Sequence, residues 1–199
     1  MATSPQNKTA RKEDLISGLP EDVKQMILER LPTPDAARTS VLSTHWNHVW
    51  LRHGRLAFDG YFYHCLLKCN ADNDDAAIAN LINNILLNRV GPVEKFALYL
   101  EHWNCNPYQS DLDQWCHFLS TNGLQELKLV VPGGDNSYKL PSCIVLCPTI
   151  KQLYVRYFNL HLPINARIIF PGVTSLVFNG VDFSDTTFQC ADMMFLDWF

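Results

Sequence analysis

The sequence predicts an α+β protein: a compact unit of three short helices, followed by an irregular, incomplete solenoid of repeats carrying a parallel sheet. Three observations lead there. Between Leu19 and His53 apolar residues recur at helical spacing in three short segments, each opened by a proline or a hydroxyl residue. Farther on, one apolar pattern returns four times. Finally, 47% hydrophobic against 18% charged residues, with 11 Phe, 5 Trp and 7 Tyr, supply enough apolar volume for a buried core and exclude a disordered chain.

Taken in order, residues 1–13 are polar and aperiodic and read as a flexible tail. In the segment from Leu19 to Leu31, Val23, Met26/Ile27 and Arg30/Leu31 repeat at helical spacing. Pro20 suits a first helical position, and Glu21 and Asp22 lie where the helix dipole favours acids. Pro32 and Pro34 interrupt the chain, and Thr33-Pro34-Asp35 reads as an N-cap with proline behind it, opening a helix to about Val41. Ser43 caps a third, on which Trp46, Val49, Trp50 and His53 share a face before Gly54. Three helices in so few residues hold too little core to be comfortable alone, so the unit is expected to lean on something else.

Beyond Gly54, Leu56-Ala57-Phe58 suits a short strand and Tyr61 to Asp72 looks irregular. Asp74-Asp75 precede a helix with Ile78, Leu81, Ile82, Ile85 and Leu86 inward, closed by Gly91-Pro92. Another runs from a Ser110 cap through Leu112, Trp115, Cys116 and Leu119 to Gly123. The repeat is Val93-x-x-Phe96-x-Leu98, Leu124-x-x-Leu127-x-Leu129, Ile150-x-x-Leu153-x-Val155 and Val173-x-x-Leu176-x-Phe178, with starts 31, 26 and 23 residues apart. The last two spacings fall in the roughly 20 to 29 residues of leucine-rich repeats. The second and third apolar positions alternate along a strand and face one core, so stacked units build a parallel sheet.

Charge and motifs narrow the function. With 16 Lys+Arg, 20 Asp+Glu and a net charge of −4, the chain lacks the clustered positive charge that counterion release on phosphate requires, so no nucleic-acid partner is expected. No run approaches the roughly 18 apolar residues of a membrane span, and the segment from Met1 to Ala10 is no secretory signal. No membrane partner is expected, and the cytoplasm or nucleus is. Seven cysteines between Cys65 and Cys190 fit reduced thiols in such a compartment. His64, Cys65 and Cys69, or Cys143 and Cys147, lack the paired spacing of a zinc site. Asp72, Asp74 and Asp75 lack the glycine and glutamate of a calcium loop, and Pro132-Gly133-Gly134-Asp135 lacks the lysine of a phosphate loop. Metal and cofactors are therefore expected to be none. HExxH, GxSxG and GxGxxG are missing as well, which argues against catalysis. The final seven residues, Met193 to Phe199, are mostly large apolars, which either fold back over the strand at Leu176 to Phe178 as a cap, the favoured expectation, or leave an aggregation-prone edge that needs a partner.

Asp14 to Pro20, Ile27 to Pro32 and Asp35 to Trp50 closely resemble the F-box motif of plant F-box/leucine-rich-repeat proteins. Gly91 to Phe96, Asn122 to Leu127 and Lys139 to Ser142 continue the likeness. The resemblance implies an F-box at 14–54 and a leucine-rich-repeat region at 55–199. The chain would be a non-catalytic adaptor of an SCF-type cullin–RING ubiquitin ligase, in which the F-box binds a Skp-type linker, and through it a cullin, while the repeats bind a substrate protein. A shortened decoy that binds the linker without selecting a substrate is the rival reading. Carried over residue by residue, the linker-facing or helix-packing positions are Leu19, Pro20, Val23, Ile27, Leu28, Leu31, Leu42, Ser43, Trp46, Val49 and Trp50. Burial statistics alone put both tryptophans in the core; the resemblance moves them to the interface. Where relatives often carry basic residues this chain has His45 and Asn47, and family members commonly run longer.

Overall fold

A computed structural model describes residues 16, 18–68, 75–102, 107–134, 138–161 and 169–183, with the backbone alone at 75 and 102. Helices α1 (Glu21–Glu29), α2 (Thr33–Arg38) and α3 (Thr44–Arg52) form the N-terminal unit, with a 3-10 turn at Thr39–Val41 between the last two. Next come β1 (Arg55–Phe58), α4 (Gly60–Lys68), α5 (Asp75–Leu87), β2 (Lys95–Tyr99), α6 (Gln109–Thr121) and β3 (Glu126–Val130). The described chain closes with β4 (Tyr138–Lys139), α7 (Ser142–Val145), β5 (Gln152–Arg156), β6 (Phe158–Asn159) and β7 (Ser175–Asn179).

The solenoid reading is confirmed strand by strand. One parallel sheet runs in the order β1-β2-β3-β5-β7. Leu56, Phe96, Leu127, Leu153 and Leu176 stand in register, as do Phe58, Leu98, Leu129, Val155 and Phe178. Both ladders point into the core, and all but the last rung are buried. A second small ladder, β4 with β6, extends to Asp182 through its bridge to Asn159. Between them Tyr157 takes a left-handed conformation (φ 62°) and lays its ring on the backbone of Gly180 (φ 61°), where a side chain would collide with it.

The backbone discloses a fifth unit that the apolar pattern misses. In each repeat the residue after the first apolar position offers its carbonyl to the neighbouring strand: Glu94 to Glu126, Gln125 to Gln152, Lys151 to Ser175. Gly54 does the same for Lys95 at 2.9 Å, which aligns His53 with Val93, Leu124, Ile150 and Val173. His53-x-x-Leu56-x-Phe58 is thus the first repeat, hidden by a histidine in an apolar slot and by a spacing of 40 residues to the next.

As expected, the three-helix unit leans on the solenoid, and one hydrophobic core runs through both. Its position is over the open side of β1, the sheet's edge. The Ala57 N–H donates to Thr33 Oγ1 at 2.8 Å, and Arg55 Nη1 donates to the Glu29 carbonyl at 2.8 Å. Thr33, expected to cap α2, is buried and makes no such cap; its hydroxyl serves the sheet edge, which otherwise presents unpaired backbone donors. Thr33→Val keeps the volume but removes the acceptor, and is expected to cost about 1–3 kcal/mol in chemical denaturation. Unchanged stability would overturn this account of the edge.

Other expectations are corrected. The stretch from Tyr61 is helical through Lys68, because Asp59 Oδ1 accepts the Phe62 N–H at 2.9 Å and Phe62, Tyr63 and Cys65 turn inward. Helix α6 opens one residue before Ser110, with the Tyr108 N–H held by Asp111 Oδ2 at 3.0 Å. The Ser43 cap is present, its Oγ accepting the Trp46 N–H at 3.2 Å. Asp72, Asp74, Cys69 and the tail Met193 to Phe199 lie outside the described residues.

Candidate partner-binding surfaces

Helix α1 turns in a direction that its apolar spacing does not foretell. Its buried residues are Lys24 and Leu28, while Met26 is 56% exposed, Ile27 36%, and Val23 half-buried. The aliphatic stem of Lys24 fills the core and its Nζ lies 5.4 Å from the centre of the Trp46 ring, a cation over a π face. The 3-10 turn behind α2 adds Val41, 83% exposed, and Leu42, 59%. Both elements pack on α3, and Gln25 Nε2 ties α1 to the Val49 carbonyl at 3.3 Å. Exposed apolar side chains gathered in so short a segment mark a surface for a partner.

The eleven carried-over positions divide accordingly. Pro20, Ile27 and Leu42 are exposed; Leu19, Val23 and Leu31 are half-buried. Leu28, Trp46, Val49 and Trp50 are buried at 0%, 2%, 0% and 7% exposure and lie in the core. Ser43 is spent on its cap. The tryptophans therefore stand at the helix-packing end of that set, buried in the isolated chain. Ile16, Met26 and Val41, not singled out from sequence, are exposed apolars of the same unit; the signal for Val41 was its place beside Leu42, just ahead of the Ser43 cap.

Trp50 is where the helical unit meets the repeats. The Arg89 guanidinium stacks 4.1 Å from the centre of its ring, Nη1 donates to the Trp50 carbonyl at 2.7 Å and to the His53 carbonyl at 3.4 Å, and Nε donates to the Ile85 carbonyl at 3.1 Å. One cation thus satisfies the final carbonyls of both α3 and α5, where helix dipoles favour positive charge. Burial lowers its pKa to about 10, so it stays charged.

His53, 2% exposed, is held neutral: burial first, then the charges of Arg89 and Arg55, lower its pKa to about 4 from 6.5. The unfolded chain takes up this proton first as pH falls, so the stability is fully present above about 6.5 and is lost as pH drops toward 4. Between pH 7 and 4.5 the parent chain is expected to lose on the order of 2 kcal/mol more than His53→Leu, measured by chemical denaturation at both pH values. Equal losses in the two proteins would refute this role.

Cys65, Cys116, Cys143 and Cys147 are free thiols. Cys116 is fully buried and Cys143 half-buried, and burial raises both thiols. Cys147 Sγ sits 3.2 Å from Thr149 Oγ1. No group of three or more His, Cys, Asp or Glu side chains among the described residues is placed to hold a metal.

The outward face of the sheet is the second surface. Ala57, Ala97, Lys128, Tyr154 and Val177 form one cross-strand row, flanked by the row Arg55, Lys95, Glu126, Gln152 and Ser175. Over them lies an open trough of about 420 Å³.

This arrangement defines a class: a helical module with an exposed apolar face, seated on the edge of a leucine-rich-repeat sheet whose outer surface is open. A family model described as "F-box domain" matches residues 16–57, running past Gly54 into β1, and one described as "FBD-associated F-box protein At5g56370, LRR repeats" matches residues 112–191. The chain therefore belongs to the plant F-box/leucine-rich-repeat proteins. It is 37% identical over 139 residues to the F-box/FBD/LRR-repeat protein At1g13570 of Arabidopsis thaliana, covering 67% of this chain and 30% of that protein. To the F-box/LRR-repeat protein At3g03360 of the same plant it is 31% identical over 151 residues, covering 72% and 28%. The FBD-associated F-box protein At3g52670, also from that plant, is 26% identical over 179 residues, covering 90% and 40%. The chain spans less than half the length of these relatives. No solved structure matches it.

Proposed function

We propose that the chain is a non-catalytic substrate adaptor of an SCF-type ubiquitin ligase. The F-box at 14–54 takes a Skp-type linker, and through it a cullin, on the face made by Leu19, Pro20, Val23, Ile27 and Leu42 with Met26 and Val41. The outer face of the repeat sheet, within residues 55–199, holds a substrate protein. One observation supports this most: α1 places Lys24 in the core and leaves Met26 and Ile27 outside, a costly arrangement for a helix with no partner. The adaptor reading puts its work in the cytoplasm or nucleus; no described helix is long and apolar enough to cross a membrane.

The test is reconstitution. The purified chain, mixed with a Skp-type linker and a cullin–RING core, should co-elute with them in size exclusion and should shorten the half-life of a protein it captures in cells. Failure to co-elute would overturn the adaptor reading. Co-elution with no accelerated turnover of any captured protein would replace it with the decoy.

A further inference from the structure

The geometry points to Lys128 as the anchor for a substrate carboxylate: the outer sheet face takes an extended protein segment whose Asp or Glu side chain enters the trough above Ala97. This rests on the reading of that face as the substrate surface and adds the chemistry it selects.

Among the described residues of this face, Lys128 is a cation with no carboxylate beside it. Lys95 Nζ is paired with Glu126 at 2.8 Å, Arg156 Nη1 with Glu101 at 3.1 Å, and Arg55 donates to the Glu29 carbonyl. Lys128 Nζ instead lies between two aromatic rings, 5.1 Å from the centre of Tyr99 and 4.5 Å from that of Tyr154. The rings hold a half-buried ammonium in place through their π faces but leave its net charge intact. An incoming carboxylate therefore meets a cation that is already positioned and partly desolvated, where a charge-assisted hydrogen bond is stronger than at an open surface.

The rest of the row supplies space. Ala97, next to Lys128 across β2 and β3, and Ala57 beyond it carry single methyl groups, so the trough is deep beside Lys128. Among the lining charges the acids are already engaged: Glu126 with Lys95, and Asp59 with the Phe62 N–H. Glu126 is thus neutralised by Lys95, and Asp59, which keeps its charge, sits at the β1 end of the trough, two strands away from Lys128.

The experiment uses the full chain in complex with its linker and two fluorescein-labelled peptides, one of alternating glutamate and threonine, the other with glutamine for every glutamate. Fluorescence anisotropy should show the glutamate peptide binding about tenfold tighter or more, with the difference shrinking as salt rises. Lys128→Met should erase that preference while leaving the melting temperature and linker binding unchanged. Lys151→Met, a control at an exposed lysine that donates to Gln125 Oε1, should keep it. Equal affinity for the two peptides, binding of neither, or a preference that survives Lys128→Met would overturn the carboxylate assignment. In those cases a retained linker shows that the adaptor reading still stands, whereas loss of the linker from the parent chain strikes that reading itself.

Discussion

Replacing Val41 and Leu42 together by aspartate is expected to abolish capture of a Skp-type linker while leaving the fold intact. At 83% and 59% exposure these side chains contribute little to the core, so two carboxylates there cost the isolated chain almost nothing. In a docked complex the same carboxylates would be desolvated against an apolar partner surface without counter-charges. A loss of at least about 2 kcal/mol, roughly thirtyfold in Kd, is expected. Titration calorimetry against the purified linker, with a thermal melt of the variant beside it, reads both quantities. Linker affinity within twofold of the parent, in a variant that melts normally, would exclude this face as the docking surface.

Trp50→Ala should act in the opposite way, on stability before binding. Truncating a tryptophan that is 7% exposed opens a large cavity, and it removes the ring on which the Arg89 guanidinium stacks. The guanidinium would still hold the carbonyls of Trp50, His53 and Ile85 but with one face bare. The expected cost is about 4 kcal/mol in chemical denaturation, a large share of the roughly 5–15 kcal/mol that holds a small domain folded. Should Trp50→Ala keep its stability and lose the linker, the ring would be an interface anchor and its place in the core would carry no energetic weight. Because Arg89 joins α3 to α5, a milder change, Arg89→Gln, should lower stability by less and loosen the helical unit from the repeats first, visible as faster amide exchange in α3 than in β2 and β3.

Much of the solenoid was legible because its signal is local and repeated. Four copies of one apolar pattern fell in register in the sheet, and the Ser43 cap and the inward face of α5 arise from spacing of a few residues. The first repeat escaped notice because His53 stands in its apolar slot, and histidine is read as polar until its surroundings are known. Helix α4 escaped because Phe62, Tyr63 and Cys65 form a nearly continuous apolar run whose helical period is hard to see, and its capping acid, Asp59, lies just outside the run. On the candidate surfaces the same division holds. The resemblance to the F-box motif brought out Leu19, Pro20, Ile27 and Leu42, whereas Lys128 belongs to no motif, since its neighbours Tyr99 and Tyr154 come from strands 29 and 26 residues away.

The amino-acid sequence by itself determined where most of the sheet's strands and the longer helices form, that they stack as repeats, and which family the N-terminal segment resembles. Each depends on neighbours a few residues apart, or on a period that a linear chain displays. Only the tertiary structure decided which way α1 faces. Its apolar residues reach around the helix, and it is the Trp46 ring that makes the stem of Lys24 a better core residue than Met26 or Ile27. It likewise decided that Thr33 seals the sheet edge through the Ala57 N–H rather than capping its own helix, and that Arg89 reaches back from α5 to close the end of α3. The reason is the same in each case: a buried polar group takes whatever partner the packed chain brings within reach, and those partners stand 22 to 39 residues away in sequence.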